Sequence, residues 1–559
     1  MNKDQNASPK LSPVEKIKTS SDGLRGTLKE SLSDAHTGSL REDDQSLIKF
    51  HGLYQQDDRD RREERSEKKL EWLYSFMIRL RLPGGFLKPE QWVGLHHIAG
   101  KHSTGVIKIT TRQTVQLHGI VKSHIKPTIQ AFDTLKLDSI AACGDVNRNV
   151  LCSPNPKQSN LHEEIYAYAD EISKLLLPKT RSYYDIWLDE EKLAEHSEED
   201  PLYQDRYLPR KFKIAIAIPP NNDVDVFAND LGLIAIIEQG KLLGFNIAVG
   251  GGLSATHGNA ATYPRAATVI GFAPADDTLY KVVYEVLTIQ RDYGNRTDRK
   301  LARLKYTIDT MGVDGFKSEL NKRIGYMLAD ARPYIFTDRK DYCGWEQCDQ
   351  GLWHYTLFVE NGRVLDDEQL AMKTALLELA ETRKMNFRFT ANQNLILTDI
   401  HEKDKSPVQA ILEKFRLIEH TDKASGLRKN AMACVALPTC PLALAEAQRY
   451  LPALIDKIEP LLIKHELEHE NIISRMTGCP NGCGRSAISE IGFIGTGAGR
   501  YNLQLGGDHE GYRLNKTYQE QLNETEILAE LDQLFAVYKS ERKKHESFGD
   551  FTNRKYFNN

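Results

Sequence analysis

Four of the eight cysteines fall in two pairs: Cys434 and Cys440 in ACVALPTCPLA, and Cys479 and Cys483 in TGCPNGCGRS. The pattern is C-x5-C, a long interval, then C-x3-C. Thiolates are the ligands of iron–sulfur clusters, and a cubane takes four of them. Proline stands beside each pair and glycine flanks the second. Glycine lets backbone N–H groups come close enough to donate to cluster sulfides, which helps set a reduction potential. Structural zinc is the competing chemistry, but its pairs usually run C-x2-4-C, which C-x5-C fits poorly. Cys143 and Cys152, flanking GDVNRNVL, and Cys343 and Cys348, in YCGWEQC, read as buried free thiols rather than as a second metal site.

A second group could bind anions: Arg81 in RLPGG, Arg112 in TTRQT, Arg148 in NRN, and Lys211 and Lys213 in RKFK. Arginine offers a permanently charged, bidentate fork; lysine offers a compact charge and transferable protons. For any one of them a solvated surface position is the ordinary alternative, and Lys213 falls on the non-apolar side of its strand pattern. GGGLSATHG (250–258) is not a GxGxxG loop opening a helix, so it reads as a tight backbone approach to a large cofactor rather than as a dinucleotide site. His118 in LHGI reads as a hydrogen-bonded strand residue.

The elements that must position these groups repeat along the chain. MIRLRLPGGFLKPEQW (77–92) aligns without gaps on YTLFVENGRVLDDEQL (355–370), setting Gly84 on Gly362 and Arg81 on Val359. IKITTRQTVQLHGI (107–120) aligns on FRFTANQNLILTDI (387–400), setting Arg112 on Asn392. Each copy reads strand, turn, helix, strand. A fainter pair follows: KFKIAIAIPPNN and GFNIAVGGG parallel ISRMTGCPNG and GRYNLQLGG. The module order A–B–A′–B′ predicts an internally duplicated α+β protein with pseudo-two-fold symmetry. Cations stand in the first copy where the second is neutral, while all four paired cysteines lie in the second half. That asymmetry predicts one active site per chain. Phe212, Ile214, Ile216 and Ile218 alternate as a half-buried strand. Ile527, Leu531, Leu534, Phe535 and Tyr538 lie on one face of a C-terminal amphipathic helix.

With 559 residues the chain is too long for one compact core. Its formal net charge of -4, from 74 Lys and Arg against 78 Asp and Glu, argues against general nucleic-acid binding. No apolar run approaches the roughly 18 residues of a membrane span, and the polar N-terminus lacks a secretory core. The cytoplasm is therefore the expected location. The first 45 or so residues read as a mobile arm with one short helix, and the charge run at 57–69 as a solvated helix face.

ACVALPTC with TGCPNGCGRS resembles the cluster signature of siroheme-dependent nitrite and sulfite reductases. HGLYQQDDRD, RLPGG, TTRQTVQLHG, DVNRNVLC, LPRKFKI and GGGLS extend the resemblance from about residue 24 to the FGDF near the end. It is closest to the flavoprotein-linked, NADPH-dependent sulfite reductases. The resemblance implies a [4Fe–4S] cluster on Cys434, Cys440, Cys479 and Cys483, with Cys483 also serving as axial ligand of a siroheme iron. It implies Arg81, Arg148, Lys211 and Lys213 around sulfite, and Arg112, Lys108 and Gln116 on the heme carboxylates. It further implies six-electron reduction of sulfite to sulfide, as in sulfate assimilation. The expected division is an N-terminal arm and linker (1–70), ferredoxin-like half-domains (71–140 and 341–425) and siroheme-binding domains (141–340 and 426–559). No segment resembles a flavin or nicotinamide domain. A separate NADPH-oxidising flavoprotein carrying FAD and FMN is thus the expected donor, in a hetero-oligomer. The arm and the 57–69 run are its candidate docking regions. A siroheme nitrite reductase or a ferredoxin-dependent sulfite reductase is the nearest enzymatic alternative. A metal-bearing interaction protein is the non-enzymatic one.

Overall fold

The computed structural model describes residues 10–189 and 200–558. Its strands form four five-stranded sheets in two matched pairs. One sheet runs Leu53–Asp57, Tyr74–Arg79, Val115–Ile120, Ile107–Ile109 and ends on Arg363–Val364. Its counterpart runs Gly344–Gln347, Trp353–Leu357, Leu395–Ile400, Asn386–Phe389 and ends on Phe86–Leu87. Both are antiparallel throughout, and each borrows its edge strand from the other half of the chain. The exchange pairs an edge that would otherwise expose unsatisfied backbone groups. It also draws Trp92, on the helix Pro89–His102, onto Phe387, their rings stacked at 4.7 Å.

The turns feeding these edge strands correct the register of the repeat. Gly85 (φ +76°) sits where a Cβ would meet the Phe389 carbonyl at 2.6 Å, and Gly362 (φ +67°) where one would meet the Ile109 carbonyl at 2.3 Å. Gly85, not Gly84, is therefore the mate of Gly362. The ungapped alignment is one residue out here, and Arg81 corresponds to Phe358 rather than Val359. Two glutamines cross the pseudo-axis reciprocally: Gln113 donates to the Phe389 carbonyl at 3.1 Å and Gln393 to that of Ile109 at 3.3 Å.

The other two sheets run Thr268–Pro274, Lys241–Val249, Leu231–Glu238, Ile214–Ala217, Leu151–Cys152, and Lys516–Leu522, Arg500–Leu505, Ile491–Gly497, Ser474–Thr477, Ala431–Ala433. In both, the last two junctions are parallel and the others antiparallel. Ile214, Ile216 and the intervening alanines are all buried, so this strand is covered on both faces rather than one. Parallel pairing buries strands in this way. The C-terminal helix Glu524–Glu541 buries all five residues of the expected stripe, and a reciprocal Asn523–Glu526 capping box starts it.

The N-terminal segment is not a mobile arm where it is described. Short helices at Pro13–Thr19, Leu28–Ser33 and Glu42–Leu47 pack on the first half, and Leu24, Leu28 and Leu47 enter its core. Charged residues that read as solvated are buried because they find one another. Lys18 donates to Glu15 at 2.5 Å and to the Leu208 carbonyl at 2.7 Å, and Glu15 pairs with Arg296. No described helix is long and apolar enough to cross a membrane.

His509 bridges the halves, lying 3.3 Å from both Asp338 and Glu490. Burial opposes its charge, but the two carboxylates override that and raise its pKa to about 10. A raised histidine pKa stabilises the fold fully below the free value and loses that effect as pH climbs through the folded one. His509→Gln is therefore expected to cost about 3 kcal/mol near pH 6 and progressively less towards pH 10. Denaturant melts across that range check it; a cost independent of pH would contradict the assignment.

Candidate active site

The parallel strands Ala431–Ala433 and Ser474–Thr477 end side by side and carry the two cysteine pairs into one place. Cys434 accepts from the Gly478 amide at 3.4 Å, and Cys479 from the Asn481 side chain at 3.3 Å. Burial pushes the Cys434 thiol up to about 12 and Cys440 to about 11, and the neighbouring Cys483 adds to both shifts. Burial raises Cys479 as well, and thiols shifted in this way become thiolates when a cationic centre takes them as ligands. Among the described residues, no three His, Cys, Asp or Glu side chains ring a single ion. A cubane instead takes its thiolates at separate corners, and this all-sulfur donor set fits one.

In the first copy, sheet register places Ser153 where the second has Cys434, and Asp223 where it has Cys483. Ser153 donates to Asp223 at 2.6 Å, closing that position with oxygen groups. The chemistry is therefore confined to one half.

Cys483 opens into a cleft shared with Arg112, Lys213, Arg303, Arg485, Asn481 and Ser254. Gly482 and Leu253 touch across it, and Ala255 donates to the Pro480 carbonyl at 2.8 Å. The GGGLS loop thus lies against the cysteine loop. The Nε groups of Arg112 and Arg485 are buried with no partner among the described residues. Unsatisfied, deeply buried guanidinium N–H groups are costly, and they suit a ligand bearing several carboxylates. Arg485 is anchored by Asp225 at 2.9 Å, which also holds Arg475 and Arg339. Asp225 and Arg485 are mates in the repeat and meet across its axis.

A profile for the nitrite/sulfite reductase ferredoxin-like half domain matches residues 73–135 and 346–415. One for the nitrite and sulphite reductase 4Fe-4S domain matches 168–327, a stretch of the first copy without a cysteine. A *Leptospira biflexa* protein named sulfite reductase [NADPH] hemoprotein beta-component is 65% identical over 97% of this chain and 98% of its own length. The chain belongs to the nitrite and sulfite reductase family. A relative of the same name from *Anoxybacillus flavithermus* is 52% identical over 97% of this chain and 95% of its own. The solved structure of *Mycobacterium tuberculosis* NirA is 25% identical, covering 98% of this chain and 97% of that one, with a TM-score of 0.79. The fold is thus shared over nearly the whole molecule with an oxidoreductase family.

The structure places the expected family cations unevenly. Arg148 hangs on a short ladder in which its amide donates to Phe212 and the Phe212 amide to Val146, at 2.9 and 3.0 Å. The same ladder carries Lys211 and Lys213. Burial lowers Lys211 to about 7, with Arg210 lowering it further and Cys483 opposing. Lys213 is lowered by burial and then by Lys211. Arg112 reaches Asn229 at 2.9 Å and the Asn149 carbonyl at 2.5 Å. Lys108 is buried, lowered by that burial to about 7, and donates to the Asn361 carbonyl. Gln116 shares hydrogen bonds with His118, and with its amide flipped it accepts from Arg79. His118 also meets Gln56 at 3.0 Å, and burial lowers it to about 3, so it is a neutral strand residue as expected.

Arg81 departs from its expected role. Asp138 takes its guanidinium through two bonds of 2.9 and 2.5 Å, and its amide donates to the Asp138 carbonyl. Its charge is spent in an ion pair. Arg79, two residues earlier, instead reaches the Cys143 sulfur at 3.1 Å and the Ala142 carbonyl at 3.4 Å, beside the carbonyls that hold Arg148. Arg79 is therefore the cation that RLRLPGG supplies to this cluster. Arg303, tied to Asp230 at 2.7 Å, was not legible at all. Arg485 was signalled only by standing two residues after Cys483.

Proposed function

We propose that this chain is the catalytic hemoprotein component of an NADPH-dependent sulfite reductase, taking sulfite to sulfide with electrons from a separate flavoprotein. The observation that carries the reading is the cleft where Cys483 shares a wall with Lys213, Arg112, Arg303 and Arg485. A cluster ligand and an anion pocket in one cleft suit electron delivery to a bound oxyanion. The names of the relatives support the substrate, and the words beta-component and NADPH support a donor partner.

Cys434, Cys440, Cys479 and Cys483 would hold a [4Fe–4S] cluster, and Cys483, which lines the cleft, would also help hold a siroheme. Together these groups supply stepwise electron delivery to sulfur. Arg112, Lys108 and Gln116 would hold heme carboxylates, joined by Arg485 and Arg303. Arg148, Lys211, Lys213 and Arg79 would grip the sulfite oxygens and stabilise the negative charge that accumulates on them. Lys211, shifted towards neutrality, can give up a proton as an oxygen leaves and regain it from water near pH 7.

The test is the optical spectrum of the purified chain with iron and acid-labile sulfide assays, followed by sulfide production from sulfite with reduced methyl viologen. Siroheme bands, a full cubane complement and sulfide formation are expected. A colourless protein, or one that reduces nitrite but not sulfite, would overturn the reading.

A further inference from the structure

We propose that Leu442 on the cysteine loop, together with Leu70, Trp72 and Leu73 on the segment tied to that loop, forms the docking face for the electron-donating domain of a flavoprotein, held by apolar contact rather than net charge. The proposal rests on the function proposed above. Leu442 stands two residues after Cys440 and is 61% exposed; Leu70, Trp72 and Leu73 are 50, 42 and 37% exposed. Large apolar side chains gathered this way on a surface mark an interaction site more often than single ones do.

Arg59 ties the two parts together. Its amide donates to the Pro438 carbonyl at 3.4 Å, and its guanidinium to the carbonyls of Cys440 and Ala443 at 3.3 and 2.8 Å. The preceding residue, Asp58, donates to the Leu73 carbonyl at 3.3 Å. The apolar segment is thus bolted, through one arginine, to the backbone of a cluster ligand. A partner seated on it would lie beside Cys440.

Several charges around this face are held in pairs. Arg62 grips Asp57 through bonds of 2.6 and 2.8 Å and stacks over Trp72 at 4.1 Å. Arg61 and Lys68 share Glu64. Arg449 joins Asp60, at 2.8 Å, to Glu446. The run at 57–69 also sums to zero, six Lys and Arg against six Asp and Glu, so it presents little net field to steer a highly charged carrier. A small acidic iron–sulfur carrier would need a net positive face here. A flavin domain with an apolar rim needs the surface that is present, with tryptophan as its anchor. Each docking passes one electron from the reduced flavin, which is oxidised, to the cluster. Six such transfers with six protons turn bisulfite into HS⁻ and three waters.

The experiment uses the holoenzyme and compares two electron sources, reduced methyl viologen and NADPH with a purified flavoprotein reductase. The variants are Trp72→Ser, the double Trp72→Ser/Leu442→Ser, and Met327→Ser as control, because Met327 is 77% exposed elsewhere. The double variant should keep its spectrum and dye-driven rate while its KM for the flavoprotein rises about ten-fold. Trp72→Ser should give part of that rise and Met327→Ser none. The parent's KM should change less than about two-fold between about 50 and 300 mM salt. An unchanged flavoprotein KM in both Trp72 variants, or a parent KM that climbs about ten-fold with salt, overturns the docking face. A parent unable to reduce sulfite with dye overturns the functional reading instead.

Discussion

Replacing Cys483 with serine is expected to lower sulfite turnover to below about 1% of the parent, a barrier increase of about 2.7 kcal/mol or more. Iron, labile sulfide and heme absorbance should fall with it. A serine hydroxyl gives up its proton far less readily than a thiol and is a harder ligand, so it binds a cluster corner poorly. The loss should not come from unfolding. Cys483 is exposed in the cleft and belongs to none of the apolar clusters, unlike Cys434 and Cys440, which pack against one. The thermal midpoint of cofactor-free protein should therefore match the parent. Cys348→Ser, lying outside the cleft, is the control and should retain both cofactors. Full iron content and turnover in Cys483→Ser would remove this residue from the site.

The second large effect separates two arginines that stand two residues apart in RLRLPGG. Arg79→Leu should reduce kcat/KM for sulfite about 100-fold, or about 2.7 kcal/mol, with little change in stability. Arg81→Leu should do the reverse. It strands Asp138 without its partner, costing about 1–2 kcal/mol of stability, and leaves dye-driven turnover near the parent's. Lysine at position 79 should recover only part of the activity, because one ammonium cannot reproduce a planar fork that reaches the Cys143 sulfur and the Ala142 carbonyl together. Equal losses from Arg79→Leu and Arg81→Leu would show that both arginines serve the anion.

Arg81 was carried over with the RLPGG resemblance, and strand parity could not have told it from Arg79. Arg79 and Arg81 share one face of an alternating pattern, so periodicity treats them alike. The strand ends at Arg79, and the chain then turns so that the Arg81 amide meets the Asp138 carbonyl. A similar ambiguity slipped the first repeat by one residue. Two turns of equal length were matched on a shared glycine, and only their φ values and close contacts showed that Gly85 is the mate of Gly362.

Local chemistry settled much else in advance. Metal ligation restricts residue type and spacing, so Cys434, Cys440, Cys479 and Cys483 could be grouped as a candidate donor set before any fold was known, and the paired strands bring their loops together. Strand alternation and the stripe at Ile527–Tyr538 follow from geometry within a single element, so the duplicated α+β architecture was legible too. Pairings between distant elements were not. Glu15 and Lys18 fell within the expected mobile arm because nothing nearby in the chain announces Arg296 or the Leu208 carbonyl. Arg303 and Arg485 enter the cleft because Asp230 and Asp225 wait for them, 73 and 260 residues away in sequence. Residue type and period are properties of a segment, and the sequence by itself determined them here. The partner that satisfies a buried charge is a property of the assembled fold, and only the tertiary structure decided it.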